Sequence, residues 1–167
     1  MPGENLKYAD DFANDYDNSI LHQNWNGPTL IFDLVNPLLK SEATILDLGI
    51  GTGESSLLFQ KAKHKISGID GSANMLKQCR KKNIGSAHFQ HNLEELPYPL
   101  ITNQFDAVIS NGVFHLIHPL HPVFSEVKRT LKPKGIFAFT YENTDKLSES
   151  TEIENGDSYD SFMTEHR

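Results

Sequence analysis

A chain of 167 residues is long enough for one domain with a buried core. Its formal net charge is −7 and its only run of positive charge is Arg80-Lys81-Lys82, which argues against a nucleic-acid backbone as the main partner. A lone cysteine, Cys79, rules out an intrachain disulfide; an N-terminal "MPGENLKYADDFAND" with no leader-like apolar stretch, and no apolar run near the ~20 residues of a membrane span, predict a soluble, cytoplasmic protein with no membrane partner.

In chain order, "GPTLIFDLVNPLL" repeats apolar residues at Leu30, Ile31, Leu34, Val35 and Leu38, a helical spacing with Pro28 suited to the first turn. "ATILDLG" reads as a short buried strand, "ESSLLFQKAKH" as a helix and "KISGID" as a second strand. "SANMLKQCRKK" is a helix with Met75, Leu76 and Cys79 on one side and positive charge in its last turn, where the helix dipole favours it. "AHFQ" predicts a third strand, the proline-containing "NLEELPYPLITNQ" a loop, and "FDAVIS" a fourth strand. "PLHPVFSEVKRTL" places Leu120, Val123, Phe124, Val127 and Leu131 on one helical face; "LKPKG" stops that helix and "IFAFTY" follows as a fifth strand. Apolar strands alternating with helices predict an α/β fold: a mostly parallel sheet of about five strands, covered by helices on both faces.

In such a sheet, ligands bind beyond the carboxyl ends of the strands, where strand order reverses. The stretch "LDLGIGTGESS" ends the first strand there, with Asp47 followed by glycines at 49, 51 and 53 that allow a tight turn and close approach to a ligand. Asp70 ends the second strand about 20 residues later, the distance expected of a ribose-binding carboxylate. Two features oppose a dinucleotide. Glu54 stands where its third glycine belongs, and Asp47 adds a second negative charge where a pyrophosphate would sit. A ligand with a ribose, an amino group and a positive centre suits these residues better.

"LDLGIGTGESS" and "ISGIDGSANML", followed in order by "FQHNLEELPYP", "FDAVISNGVFHLI" and "LKPKGIFAFTY", resemble the motifs of the class I S-adenosylmethionine-dependent methyltransferases, most of all their small-molecule (type 11) branch. The resemblance spans roughly Tyr8 to Glu142. It implies a Rossmann-like three-layer sandwich with strand order 3-2-1-4-5, S-adenosylmethionine as cofactor and a small-molecule methyl acceptor. By the same resemblance, Asp47 would anchor the methionine amino group and Gly49, Gly51 and Gly53 would make room for the cofactor. Asp70 would accept the ribose hydroxyls, and Gly71, Met75, Asn92 and Leu93 would line the adenine, with Asn92 standing where the family has Asp. Asn111 would offer its backbone carbonyl to the methionine end, and Tyr8 or Tyr16 would lie over the cofactor. The resemblance also implies a helical N-terminal entry or lid segment (1–40) and a cofactor-binding core (41–145) in a single domain, and the change to a polar, acidic composition after Lys146 predicts a mobile tail (146–167).

His115, His118 and His121 recur every third residue, but Pro119 and Pro122 interrupt any helix presenting them together, so no metal site is expected. His115 alone, just after the fourth strand, is the candidate to take a proton from an acceptor. Cys79 reads as core, and Tyr141 as either a pocket wall or packing. The abrupt end after "IFAFTY", where the family continues with a strand pair, predicts either a missing segment or a fifth-strand edge that associates or is covered by the tail. Two other readings stay open: a non-catalytic module that binds S-adenosylmethionine or S-adenosylhomocysteine, and a nicotinamide-dependent reductase.

Overall fold

A computed structural model describes residues 2–22 and 25–141. The predicted tail, 146–167, lies outside the described residues. Three helices lead the chain: α1 (Pro2–Phe12), α2 (Tyr16–His22) and α3 (Gly27–Val35), the last with proline in its first turn. α3 tightens into a 3-10 turn at Asn36–Leu38, where Pro37 offers no amide to continue the α-helical ladder.

The core then alternates: β1 (Thr44–Leu48), α4 (Glu54–Lys61), β2 (Lys65–Asp70), α5 (Ala73–Lys81), β3 (Ala87–Gln90), β4 (Phe105–Ser110), α6 (His121–Thr130) and β5 (Leu131–Phe139). The strands form one sheet of order β3-β2-β1-β4-β5, every pairing parallel. Order therefore reverses between β1 and β4, and the crevice at their carboxyl ends is where such a sheet takes its ligand.

Alternation along β1 divides the interior into two layers. Ile45 packs with Ile31, Val35, Phe59 and Ile109 beneath α3 and α4, whereas Leu46 and Leu48 pack with Val108, Phe114, Val123 and Val127 on the α6 side. Ile45, Leu46 and Phe59 are completely buried, each such side chain contributing about 1.5–3 kcal/mol by leaving water. Asp47 shares the face of Ile45 and so turns toward α4.

The fifth strand begins earlier than the sequence pattern predicts. Leu131 already pairs with Phe105, so the helix-stopping "LKPKG" is itself strand. Lys134, at φ 64°, and Gly135 then shift the register before pairing resumes at Ala107 and Ile136. Among the described residues β5 is an edge strand, and no helix there is long and apolar enough to cross a membrane.

Candidate functional site

The turn from β1 into α4 is built on glycines with left-handed φ. Gly49 (φ 74°) lies so close to Val113 that an added Cβ would stand 2.4 Å from it. Gly51 (φ 54°) faces open space, with nothing nearer to a Cβ than Gly49 O at 3.9 Å. The backbone is thus bare toward the crevice, and only glycine takes this conformation without steric cost. Gly53 behaves differently from the expectation for it. A Cβ there would press at 3.0 Å on Cys79 and Ile84, so this glycine faces the core and lets α4 begin. Burial pushes the adjacent Cys79 thiol up to about 12 and leaves it inert.

Asp70 ends β2 with its carboxylate aimed by the backbone: Gly51 N donates to one oxygen and Ser72 N to the other, both at 2.8 Å. Burial raises its pKa against these two bonds, and Asp10 adds to the rise. Asp47, 2 % exposed, accepts one hydrogen bond, from Ser56 Oγ at 2.7 Å. Burial pushes its pKa up to about 7, and the charge of Asp70 adds to the effect. Two carboxylates that ionise reluctantly share one crevice.

Helices α1 and α2 close over this end. Asp10 accepts from Ser72 Oγ (2.6 Å) and from Asn74 N (2.9 Å) at the start of α5. Lys82 bridges Asp17 of α2 (2.7 Å) to Glu54 of α4 (2.6 Å), and the Thr52 hydroxyl donates to Asp17. Tyr16 and Trp25 line one cleft together with Asp47, Gly49, Gly51, Thr52, Ser55 and Asn111. The cleft is partly open and has a volume of about 20 Å³. Burial pushes the Tyr16 hydroxyl up to about 12, with the charges of Asp70, Asp17, Glu54 and Asp47 assisting.

Of the residues singled out in the sequence, Asp47, Gly49, Gly51, Asn111 and Tyr16 meet in this cleft, with Asp70 hydrogen-bonded to its glycine loop. Asn111 is buried, its amide donating to Ser55 Oγ (2.8 Å) and its Oδ1 accepting from Thr140 Oγ1 (2.7 Å). Tyr8 stays outside, 68 % exposed and stacked on Phe12, because the helix break at 13–15 turns only Tyr16 inward. Gly71 lies under α1, where a Cβ would come within 2.4 Å of Leu6. Met75 and Leu93 are buried, and the carbonyl of Leu93 accepts from the Tyr98 hydroxyl. Asn92 spends one lone pair of Oδ1 on the Glu94 amide. His115 sits in the 3-10 turn Phe114–Leu116, partly exposed and outside the cleft wall. Among the described residues no three His, Cys, Asp or Glu side chains converge to hold a metal. Pattern reading missed Trp25, Thr52 and Ser55. The signal for Trp25 was an aromatic set between asparagines just before the Gly-Pro that opens a helix.

A family model described as a methyltransferase domain matches residues 46–139, the span from β1 to the end of β5. The chain belongs to the class I S-adenosylmethionine-dependent methyltransferases. S-adenosylmethionine is the cofactor of this methyltransferase fold. Among curated relatives, the malonyl-[acyl-carrier protein] O-methyltransferase of Legionella pneumophila is 33% identical over 144 residues, covering 82% of this chain and 49% of that protein. The protein of the same name from Enterobacter lignolyticus is 33% identical over 107 residues, covering 64% and 42%. The chain thus spans less than half the length of these two relatives. Among solved structures, an S-adenosylmethionine-dependent methyltransferase from Mesorhizobium loti superposes with a TM-score of 0.57 at 25% identity, covering 65% of this chain and 51% of that one. The PH0226 protein of Pyrococcus horikoshii matches in fold, with a TM-score of 0.62 at 24% identity, over 80% and 57%.

The donor set of the methyltransferase cleft fits this cofactor. Bare backbone at Gly51 admits a ligand, the oriented Asp70 carboxylate suits hydroxyl donors, and the under-compensated Asp47 suits an ammonium.

Proposed function

We propose that this chain transfers the methyl group of S-adenosylmethionine to a small-molecule acceptor. The observation that carries the reading is the Asp70 carboxylate, held by Gly51 N and Ser72 N beside a glycine loop whose open side faces the crevice. In this reading Asp70 accepts the ribose hydroxyls, Asp47 takes the methionine ammonium, and Gly49 and Gly51 give the amino-acid half its room. Gly71, Met75, Asn92 and Leu93 flank the adenine beneath α1. Tyr16 closes the pocket, and the backbone after β4 at Asn111 borders the methyl end.

When bound, S-adenosylmethionine supplies an electrophilic methyl on a positively charged sulfur. The chain's own part is to orient and to exclude water. Alignment of donor and acceptor can lower the barrier by ~7–11 kcal/mol, so no metal and no strong acid is required. Asn111, locked between Ser55 and Thr140, fixes the turn where the acceptor would approach. His115, in the same turn region, is the residue to receive a proton from an acceptor that ionises.

In this reading α1 and α2, held to the crevice by Asp10 on Ser72 and Asn74 and by Asp17 on Lys82, act as a lid that parts to admit the cofactor. The names of the relatives favour an oxygen acceptor such as a malonyl carboxylate. Incubating the protein with labelled S-adenosylmethionine and a panel of acceptors that includes malonyl-acyl carrier protein tests both points. Labelled product with S-adenosylhomocysteine release is expected. Binding of S-adenosylmethionine without turnover on any acceptor would favour the non-catalytic module, and tight NADH binding with no response to either sulfur compound would overturn the reading.

A further inference from the structure

Trp25 has no role in the cofactor reading above. It stands in the cleft wall beside Asp47, Gly49 and Gly51, yet precedes them by more than twenty residues. Two glycines lie against the six-membered part of its ring. A Cβ on Gly27 would come within 2.7 Å of the ring, too close for the indole to stay where it is, and one on Gly112 would press on it at 3.3 Å. Gly27 is buried at the start of α3, and a Cβ there would also meet Asn111 Oδ1 at 2.8 Å. The ring therefore packs against the turn after β4.

The charge around it has one sign. Asp47 and Glu54 line the same cleft, and neither lysine nor arginine does among its described wall residues. Lys82, the nearest cation to Glu54, is spent on the bridge to Asp17. A tryptophan face carries negative quadrupole charge and attracts a cation held over it, more strongly in a desolvated site.

We infer that Trp25 is a specificity-determining residue that favours the positively charged sulfur of S-adenosylmethionine over the neutral sulfur of S-adenosylhomocysteine. The inference rests on the cofactor reading above and adds to it a means of discarding product. The two ligands differ by one methyl group and one charge. Ribose, adenine and carboxylate contacts treat them alike, whereas an aromatic face beside carboxylates does not.

Calorimetric titration of the wild type, Trp25→Phe and Trp25→Leu with each ligand tests this. The readout is the ratio of the two dissociation constants, which a merely structural loss would leave unchanged because both affinities would fall together. Trp25→Leu is expected to lower the preference for S-adenosylmethionine by about 2–30-fold, and Trp25→Phe by less, since it keeps an aromatic face. Equal weakening of both ligands, or no change in either, would overturn the inference. Trp25 is the chain's sole tryptophan, so wild-type fluorescence gives a second readout that needs no variant to fold. Saturation with S-adenosylmethionine should change its emission more than saturation with S-adenosylhomocysteine, and identical responses would count against it. A wild type that binds neither ligand would instead fail the cofactor reading itself.

Discussion

Asp47 and Asp106 are the same residue type on adjacent parallel strands, at opposite ends of the sheet. Asp106, near the amino end of β4, is fully provided for. Lys40 and Lys132 each lie 2.9 Å from its carboxylate, and the Thr44 amide and hydroxyl donate at 2.9 and 2.8 Å. Burial works against its charge, but these partners hold its pKa well below the usual carboxylate range. Asp47, near the carboxyl end of β1, has among the described residues one hydroxyl donor, no cation and a second carboxylate nearby. A carboxylate that fastens the fold has its partners built in. In the proposed function, the ligand supplies the partner that Asp47 lacks.

The largest expected effect falls on the completed cluster. Asp106→Ala strands two lysines and the Thr44 amide, and should cost about 1.5–3 kcal/mol of stability in denaturant unfolding. Affinity of the folded protein for S-adenosylmethionine should stay as it was. Asp47→Asn should act in the reverse sense on both measurements. It removes a buried charge while keeping an acceptor for Ser56, so stability at neutral pH should rise by about 1–2 kcal/mol. Affinity for S-adenosylmethionine should fall by about tenfold or more, since a charge-assisted hydrogen bond to the ammonium is lost. A destabilised Asp47→Asn protein with intact affinity would reverse the contrast between the two aspartates.

Much of this arrangement is legible in the sequence. The central strands could be read because β1 and β4 carry short apolar runs bounded by glycine or charge, and Asp47 and Asp70 because each stands at or next to the carboxyl end of its strand. The three glycines at 49, 51 and 53 look alike in sequence. What separates Gly53 is the contact it makes with Cys79 and Ile84, and those residues arrive from α5 and the loop beyond it. Tyr8 and Tyr16 share one segment, and only the break between α1 and α2 decides which of them faces the cleft. Trp25 was hidden for a related reason. Its partner Gly112 lies more than eighty residues away, and no local period encodes such a meeting.

pH sharpens the contrast further. The folded-state pKa of Asp47 lies near 7 against about 4 in an unfolded chain, so the folded protein keeps a proton that the unfolded one has released. Its contribution to stability therefore falls as pH rises from about 4 to about 7 and is level above that. For Asp106 the folded value lies below the unfolded one, so its stabilisation is present above about pH 4 and is lost as pH falls further. Unfolding curves of the wild type and Asp47→Asn at several pH values should diverge most at the neutral end. Affinity for S-adenosylmethionine should rise across the same window in the wild type alone.

The smallest effect belongs to the proposed lid of α1 and α2. Lys82 is hydrogen-bonded to Asp17 and Glu54, which raises its pKa although burial opposes that. The pairs are partly exposed, so Lys82→Met should cost only about 0.3–1 kcal/mol. Stopped-flow mixing should show faster cofactor association in the variant, with less dependence on salt than in the wild type. An association rate unmoved by the substitution would detach the lid from the cleft.

The hydrogen bond from Asn74 N to Asp10 supplies an internal clock for that lid. The amide belongs to the first turn of α5, a position that has no partner within its own helix, and its acceptor lies sixty-four residues earlier in the chain. Met75 N, one residue on, bonds instead to Ser72 Oγ at the head of the same helix. Deuterium should therefore enter Asn74 each time α1 lifts and pass Met75 by, so that two neighbouring amides report the opening of the lid and the fraying of α5 on separate clocks.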